Sequence, residues 1–124
     1  FSVIQPVDLQ GNTLTLAGSG AGTVSISGQV SGTGSMIMNK TGGAVTLSGA
    51  NNYSGGFTLS NGRVDGVTGN YAGFGNGTLT INGGNMHFSG SATIANDMIW
   101  NGSFQFSRPG TGTPTVTFNG NAVL

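Results

Sequence analysis

Short stretches of alternating apolar and polar residues, each bounded by glycine or asparagine, recur along the whole chain. In the segment Lys40–Val64, two such stretches, Ala44–Ser48 and Phe57–Leu59, flank a loop of Gly, Asn and Ser around Tyr53. Alternation of period two in Thr, Val, Ile and Phe predicts β-strands. Strands this short cannot each bury a face alone, so they must stack on one another. Glycine interrupts every window of helix length, and we therefore expect essentially no helix.

The same alternation predicts further strands on both sides of this segment. They are Phe1–Ile4, Thr13–Leu16, Thr23–Ser27, Ser35–Met38, Thr78–Ile81, Met86–Phe88, Ala92–Ile94, Met98–Trp100, Phe104–Phe106, Thr115–Phe118 and Ala122–Leu124. Two architectures fit this pattern: an antiparallel sandwich, or a parallel β-helix in which each turn stacks on the last. Self-similarity over ~20 residues favours the β-helix, with about six coils. At ~4.8 Å per coil, such a rod is roughly 30 Å long.

Composition excludes several partners. The formal net charge is zero, from three cations (Lys40, Arg63 and Arg108) and three Asp. Three dispersed cations cannot neutralise a phosphate backbone, so no nucleic acid partner is expected. No apolar run approaches the ~20 residues that span a bilayer, so the chain is not expected to be membrane-spanning. The chain has no cysteine, which removes disulfides and thiolate metal sites, and we expect no cofactor.

One segment is similar to a known family. Met36–Gly43 reads MIMNKTGG and Val45–Gly56 reads VTLSGANNYSGG. Together with Leu59–Val64 (LSNGRV) and Gly75–Gly84 (GNGTLTINGG), they resemble the autotransporter-associated β-strand repeat, also called the passenger-associated transport repeat. The chain departs from that pattern in the order of Gly43-Ala44, at Phe57 and at Arg63. The resemblance implies a right-handed parallel β-helix within large secreted or surface proteins of bacteria, and it implies no catalytic residues.

Candidate catalytic groups are sparse. His87 lies between two apolar residues of one predicted strand, and we expect it to point outward as a solvated side chain. A Ser-His-Asp constellation would need Asp65 or Asp97 beside it, which the sequence cannot place. There is no Glu, and the Asp residues should fall on separate coils, whereas glycosidases need paired carboxyl groups. We therefore expect no enzyme. Lys40 suggests either an isopeptide crosslink or, more simply, an exposed or corner lysine.

Aromatic residues supply the candidate contact sites. Tyr71, Phe74 and Trp100 could stack on sugar rings or on a partner, and Asn70–Phe74 is expected to form the longest loop and an exposed protrusion. Tyr53 belongs to the repeat pattern, so we expect it to pack its loop against the next coil.

These observations predict a single β-helix domain over residues 1–124, with a repeat core at 36–64. We expect a segment of a longer solenoid or a stacking subunit, whose partners are neighbouring solenoid repeats or copies of itself end to end. The predicted function is a structural stalk or fibre element of an extracellular or cell-surface bacterial protein. The alternative is an adhesin module that binds surface glycans.

Overall fold

The computed structural model describes residues 1–108 and 110–124, and within them it contains strands and no helix. Thirteen strands follow one another along the chain. They are β1 (Ser2–Val3), β2 (Val7–Asp8), β3 (Thr13–Gly18), β4 (Val24–Ile26), β5 (Val30–Ser31), β6 (Ser35–Leu47), β7 (Phe57–Asn70), β8 (Leu79–Ile81), β9 (Asn85–Ile94), β10 (Met98–Trp100), β11 (Gln105–Ser107), β12 (Val116–Phe118) and β13 (Ala122–Val123). None of the described residues belongs to a helix that could cross a membrane.

Every strand pairing found in the structure is parallel, so the fold is a parallel β-solenoid of about six turns. Ladder A stacks β3, the first part of β6, the first part of β7, β8, β10 and β13. One inward position of this ladder recurs in every coil. Its members are Leu14, Met36, Phe57, Leu79, Met98 and Ala122. This pairing confirms the predicted β-helix and excludes the antiparallel sandwich.

Two further ladders close each turn. Ladder B stacks β1, β4, the second part of β6, the second part of β7 and β9, and then both β11 and β12 on β9. Ladder C begins with the pair β2 and β5. Backbone hydrogen bonds extend it, because Asn52 N–H donates to the Val30 carbonyl and Asn76 N–H donates to the Tyr53 carbonyl, each at 2.9 Å. The sequence pattern missed β2 and β5, which are only two residues long.

Three strands are longer than the pattern predicts. Strands β6, β7 and β9 have 13, 14 and 10 residues, because the chain turns a corner while its ladder pairing continues on both sides. Register shifts mark these corners, for example between Met38 and Ala44 in β6. The predicted strands Ser35–Met38 and Ala44–Ser48 are therefore two arms of one bent strand.

The core is a column of apolar side chains enclosed by the three ladders. Leu47, Leu59 and Ile81 are almost completely buried, as their place in the alternation predicts. Phe118 also points toward this column but is only half-buried, because it lies in the last coil.

Glycine occupies the corners because successive coils touch there through their backbones. A Cβ on Gly34 would overlap the carbonyl oxygen of Asn12 in the preceding coil, and the same overlap occurs between Gly62 and the Lys40 carbonyl. Gly62 also has φ of 91°, a conformation that L side chains rarely adopt. Tight corners thus explain much of the high glycine content.

Candidate functional site

The three aspartate side chains lie in separate turns of the solenoid. Asp65 forms an ion pair with Arg63, whose Nη2 donates to Asp65 Oδ2 at 2.8 Å. Asp8 accepts a hydrogen bond from Gln10 N–H at 2.9 Å, and Asp97 accepts one from Asn121 N–H in the following coil at 2.8 Å. Within the described residues, no group of three or more metal-ligating side chains comes together. Each carboxylate therefore has a local role in the backbone or in an ion pair.

His87 lies on the outer side of ladder B, half-buried, in a row of polar side chains. Its Nδ1 lies 2.9 Å from Ser107 Oγ in the next coil, and Ser107 Oγ donates to Asn85 Oδ1 at 2.7 Å. With the serine proton directed to Asn85, the hydroxyl accepts from His87 Nδ1–H in the tautomer that carries a proton on Nδ1. A catalytic base would instead have to take that proton. This arrangement is a polar ladder that joins two coils.

Lys40 is a corner lysine, but it is buried, with 5% of its surface exposed. Its ammonium donates to the carbonyl oxygens of Gly20 and Gly42. The sequence left open an isopeptide crosslink or an exposed or corner lysine; the structure gives the corner position with burial, and among the described residues no carboxylate pairs with the ammonium. The ammonium therefore joins the loop at Gly20 to the corner at Gly42.

Phe74 lies in the interior and is fully buried, so the expectation of an exposed protrusion at Asn70–Phe74 is wrong there. Its ring lies 5.0 Å from that of Phe57 and 4.9 Å, edge to face, from that of Tyr71. Burying this large apolar ring in the core is more favourable than exposing it to water. The segment after β7 consequently folds back onto the core.

Tyr71 is half-buried, and its ring lines two surface clefts. Its hydroxyl oxygen is buried and finds no hydrogen-bond partner among the described residues. Tyr53 is fully buried and donates to the carbonyl of Gly73 in the next coil at 3.1 Å, which confirms that it packs its loop against that coil. Burial raises the pKa of both phenols above the usual value.

Trp100 belongs to a different aromatic cluster, at the C-terminal end of the core. Its ring lies 5.1 Å from Phe104, 6.5 Å from Phe106 and 6.2 Å from Phe118. Its Nε1 is buried without a hydrogen-bond partner among the residues described. The three predicted contact residues therefore do not form one surface, because Tyr71 and Phe74 lie together while Trp100 packs with other rings.

Two buried amides that the sequence analysis missed connect successive coils. Asn51 Oδ1 accepts from Val30 N–H at 2.8 Å, and Asn51 Nδ2 donates to the Gly73 carbonyl at 3.1 Å, so one side chain joins three coils. Asn96 Nδ2 donates to the carbonyls of Gly75 and Gly77 in the preceding coil. The signal in the sequence was Asn51 within the repeat motif, but nothing there distinguishes it from the exposed Asn52 beside it.

Three clefts that share Asn70 lie along one side of the solenoid, where β7 and β9 end. Their volumes are about 390, 300 and 270 Å³. We call them together the β7–β9 furrow. Its lining includes Ser48, Thr68, Asn70, Tyr71, Ala72, Asn76, Thr93, Ala95, Asn96, Thr115, Thr117 and Asn119. None of these side chains is a carboxylate, a lysine, an arginine or a histidine, so the furrow carries no formal charge and is lined by both polar and apolar groups.

The chain matches no family model, no curated protein and no solved structure. The resemblance to the autotransporter-associated repeat therefore stays a prediction from the motif residues.

Proposed function

We propose that this chain is a structural β-solenoid module of an autotransporter-like bacterial surface protein, acting as a stalk or fibre element. The observation that carries the proposal is the run of parallel ladders through about six turns, reinforced by side chains that bond one coil to the next.

A stack of this kind suits a spacer. Backbone hydrogen bonds between parallel strands lie across the strands and hence along the solenoid axis, and each coil adds ~4.8 Å. Asn51 and Tyr53 add side-chain bonds in the same direction. The length of the rod is therefore set by the number of coils, which lets a solenoid carry another domain at a fixed distance from a surface.

The proposed partners are further coils of the same kind, supplied by neighbouring solenoid repeats or by other copies of the chain. Parallel pairing supports this part of the proposal, because any coil of matching width can continue a ladder. The proposed location is extracellular or at the bacterial cell surface. The repeat motif at Met36–Val64 supports that location.

The length argument is tested by duplicating one coil. Residues 57–78 form one repeat of ladder A, since Phe57 pairs with Leu79. Two extra copies of this segment, inserted after residue 78, should give a folded protein about 10 Å longer in small-angle X-ray scattering. The control inserts a single copy of only half a coil, which should put every later strand out of register and disrupt ladder pairing. A folded protein whose maximum dimension does not increase would contradict the spacer role.

The location is tested separately with antibodies raised against the purified chain. Intact cells of the source organism should bind these antibodies, and external protease should abolish the signal. Labelling that appears only after the cells are lysed would overturn the surface assignment, whatever the result with the duplicated coils.

A further inference from the structure

The β7–β9 furrow follows the direction of the solenoid axis. Asn70 pairs with Thr93, and Thr93 pairs with Thr117, so these three residues form one row across three coils. Ser48 lines the furrow at its other end, one coil before Asn70. Because parallel strands are spaced ~4.8 Å apart, the row presents one polar side chain per coil at that interval.

Some polar side chains of the furrow bond one coil to another, as Asn96 does, whereas those of the row do not in the part of the chain that the structure describes. Among the described residues, the side chains of Asn70, Thr93, Thr117 and Asn119 form no hydrogen bond with another protein group. Asn76 uses its side-chain nitrogen for one long hydrogen bond, 3.4 Å, to the Asn52 carbonyl. Amide and hydroxyl groups can donate and accept, so the row offers both functions to a ligand.

The furrow also contains an aromatic ring and two small side chains. Tyr71 packs edge to face against Phe74, with the ring centroids 4.9 Å apart. Ala72 and Ala95 leave the space beside it open. The largest of the three clefts, at about 390 Å³, falls within the range of ~300–1,000 Å³ found for small-molecule sites.

We propose that the β7–β9 furrow binds a neutral oligosaccharide that lies along the solenoid axis, with its rings beside Tyr71 and its hydroxyls on the row Asn70, Thr93 and Thr117. A sugar chain offers hydroxyls at regular intervals, each able to donate and accept, and apolar ring faces suited to Tyr71. Polyanions are disfavoured because no lysine or arginine lines the furrow. This inference goes beyond the stalk function, and neither result depends on the other.

The test is a titration of the isotopically labelled 124-residue protein, followed by amide chemical shifts. The probes are linear tetrasaccharides of glucose, mannose, xylose and N-acetylglucosamine, with tetragalacturonate as the acidic comparison. At least one neutral probe should give saturable shifts at Asn70, Thr93 and Thr117. No saturable shift with any neutral probe, or binding of tetragalacturonate alone, would overturn the proposal.

Two matched pairs of variants locate the site. Ala95→Arg fills the largest cleft and should weaken binding at least about tenfold, whereas Ala17→Arg, at an exposed position on ladder A outside the furrow, should leave it unchanged. Thr93→Val removes one hydroxyl from the row and should weaken binding several-fold. Thr80→Val, at a half-buried threonine of ladder A, is its control. Equal effects within either pair would place the ligand elsewhere and refute the assignment.

Discussion

Asn51 is the side chain whose loss should reveal most about how the coils hold together. It is almost completely buried, with 3% of its surface exposed, and it bonds both the preceding and the following coil. Asn51→Ala removes both hydrogen bonds at once. Val30 N–H then stays buried without a partner, while the Gly73 carbonyl keeps its bond from Tyr53.

The two lost bonds differ in their cost. An unpaired buried N–H costs about 1–3 kcal/mol, and a lost bond whose acceptor keeps another partner costs about 0.5–1.5 kcal/mol. We therefore expect Asn51→Ala to lower the free energy of unfolding by about 1.5–4.5 kcal/mol. Asn52→Ala is the matched control, because Asn52 is the adjacent asparagine and is exposed. We expect its effect to be within about 0.5 kcal/mol.

Urea unfolding measures both variants, with far-UV circular dichroism for the whole fold and Trp100 fluorescence for the C-terminal coils. Similar denaturant slopes for the variants and the parent protein would show that the midpoints can be compared directly. If Asn51→Ala were no less stable than Asn52→Ala, the bridge across three coils would not contribute to stability, and the argument from buried amides would fail.

Two further predictions concern the corners and the buried phenols. Gly34→Ala should lower the melting temperature, because the new methyl group overlaps the Asn12 carbonyl. Gly20→Ala is the control, since its methyl group enters open space and should be neutral or slightly stabilising. Equal melting temperatures of the two variants in calorimetry would contradict the tight corner at Gly34. Burial raises the pKa of Tyr53 and Tyr71. The contribution of each phenol to the free energy of unfolding is therefore complete below about pH 10, the pKa of tyrosine in the unfolded chain. Above that pH it decreases by up to about 1.4 kcal/mol per pH unit for each tyrosine. Unfolding at several pH values between about 9 and 11 should therefore show a smaller loss for Tyr71→Phe than for the parent protein, and identical slopes would refute this.

The sequence predicts the strands and the stacking well, because both depend on local alternation. Thr13–Leu16 and Met98–Trp100 lie within or match strands of ladder A, and glycine-rich corners separate the strands within one coil. The alternation also predicts the burial of Leu47 and Ile81. The prediction of parallel rather than antiparallel pairing rested on the regular spacing of the strands along the chain. That spacing is a property of the whole sequence and not of any single strand.

What the sequence could not predict depends on contacts between coils. Lys40 looks like a solvated charge until the Gly20 carbonyl of the preceding coil is placed beside its ammonium. Phe74 follows a loop-like segment, and only Phe57 in the same core shows why it turns inward. The furrow is likewise invisible in the sequence, because Asn70 and Thr93 lie in different coils and meet only through the pairing of β7 with β9.

Coil length in this protein is not constant. Leu79 pairs with Met98, 19 residues later, and Met98 pairs with Ala122, 24 residues later, although all three positions belong to ladder A. The paired strands therefore fix the position at which each coil returns to ladder A, whereas the number of residues between two paired strands can vary. Peptide grafts at an exposed bend should be accepted as long as the paired segments on either side are kept, so one scaffold could display different epitopes turn by turn.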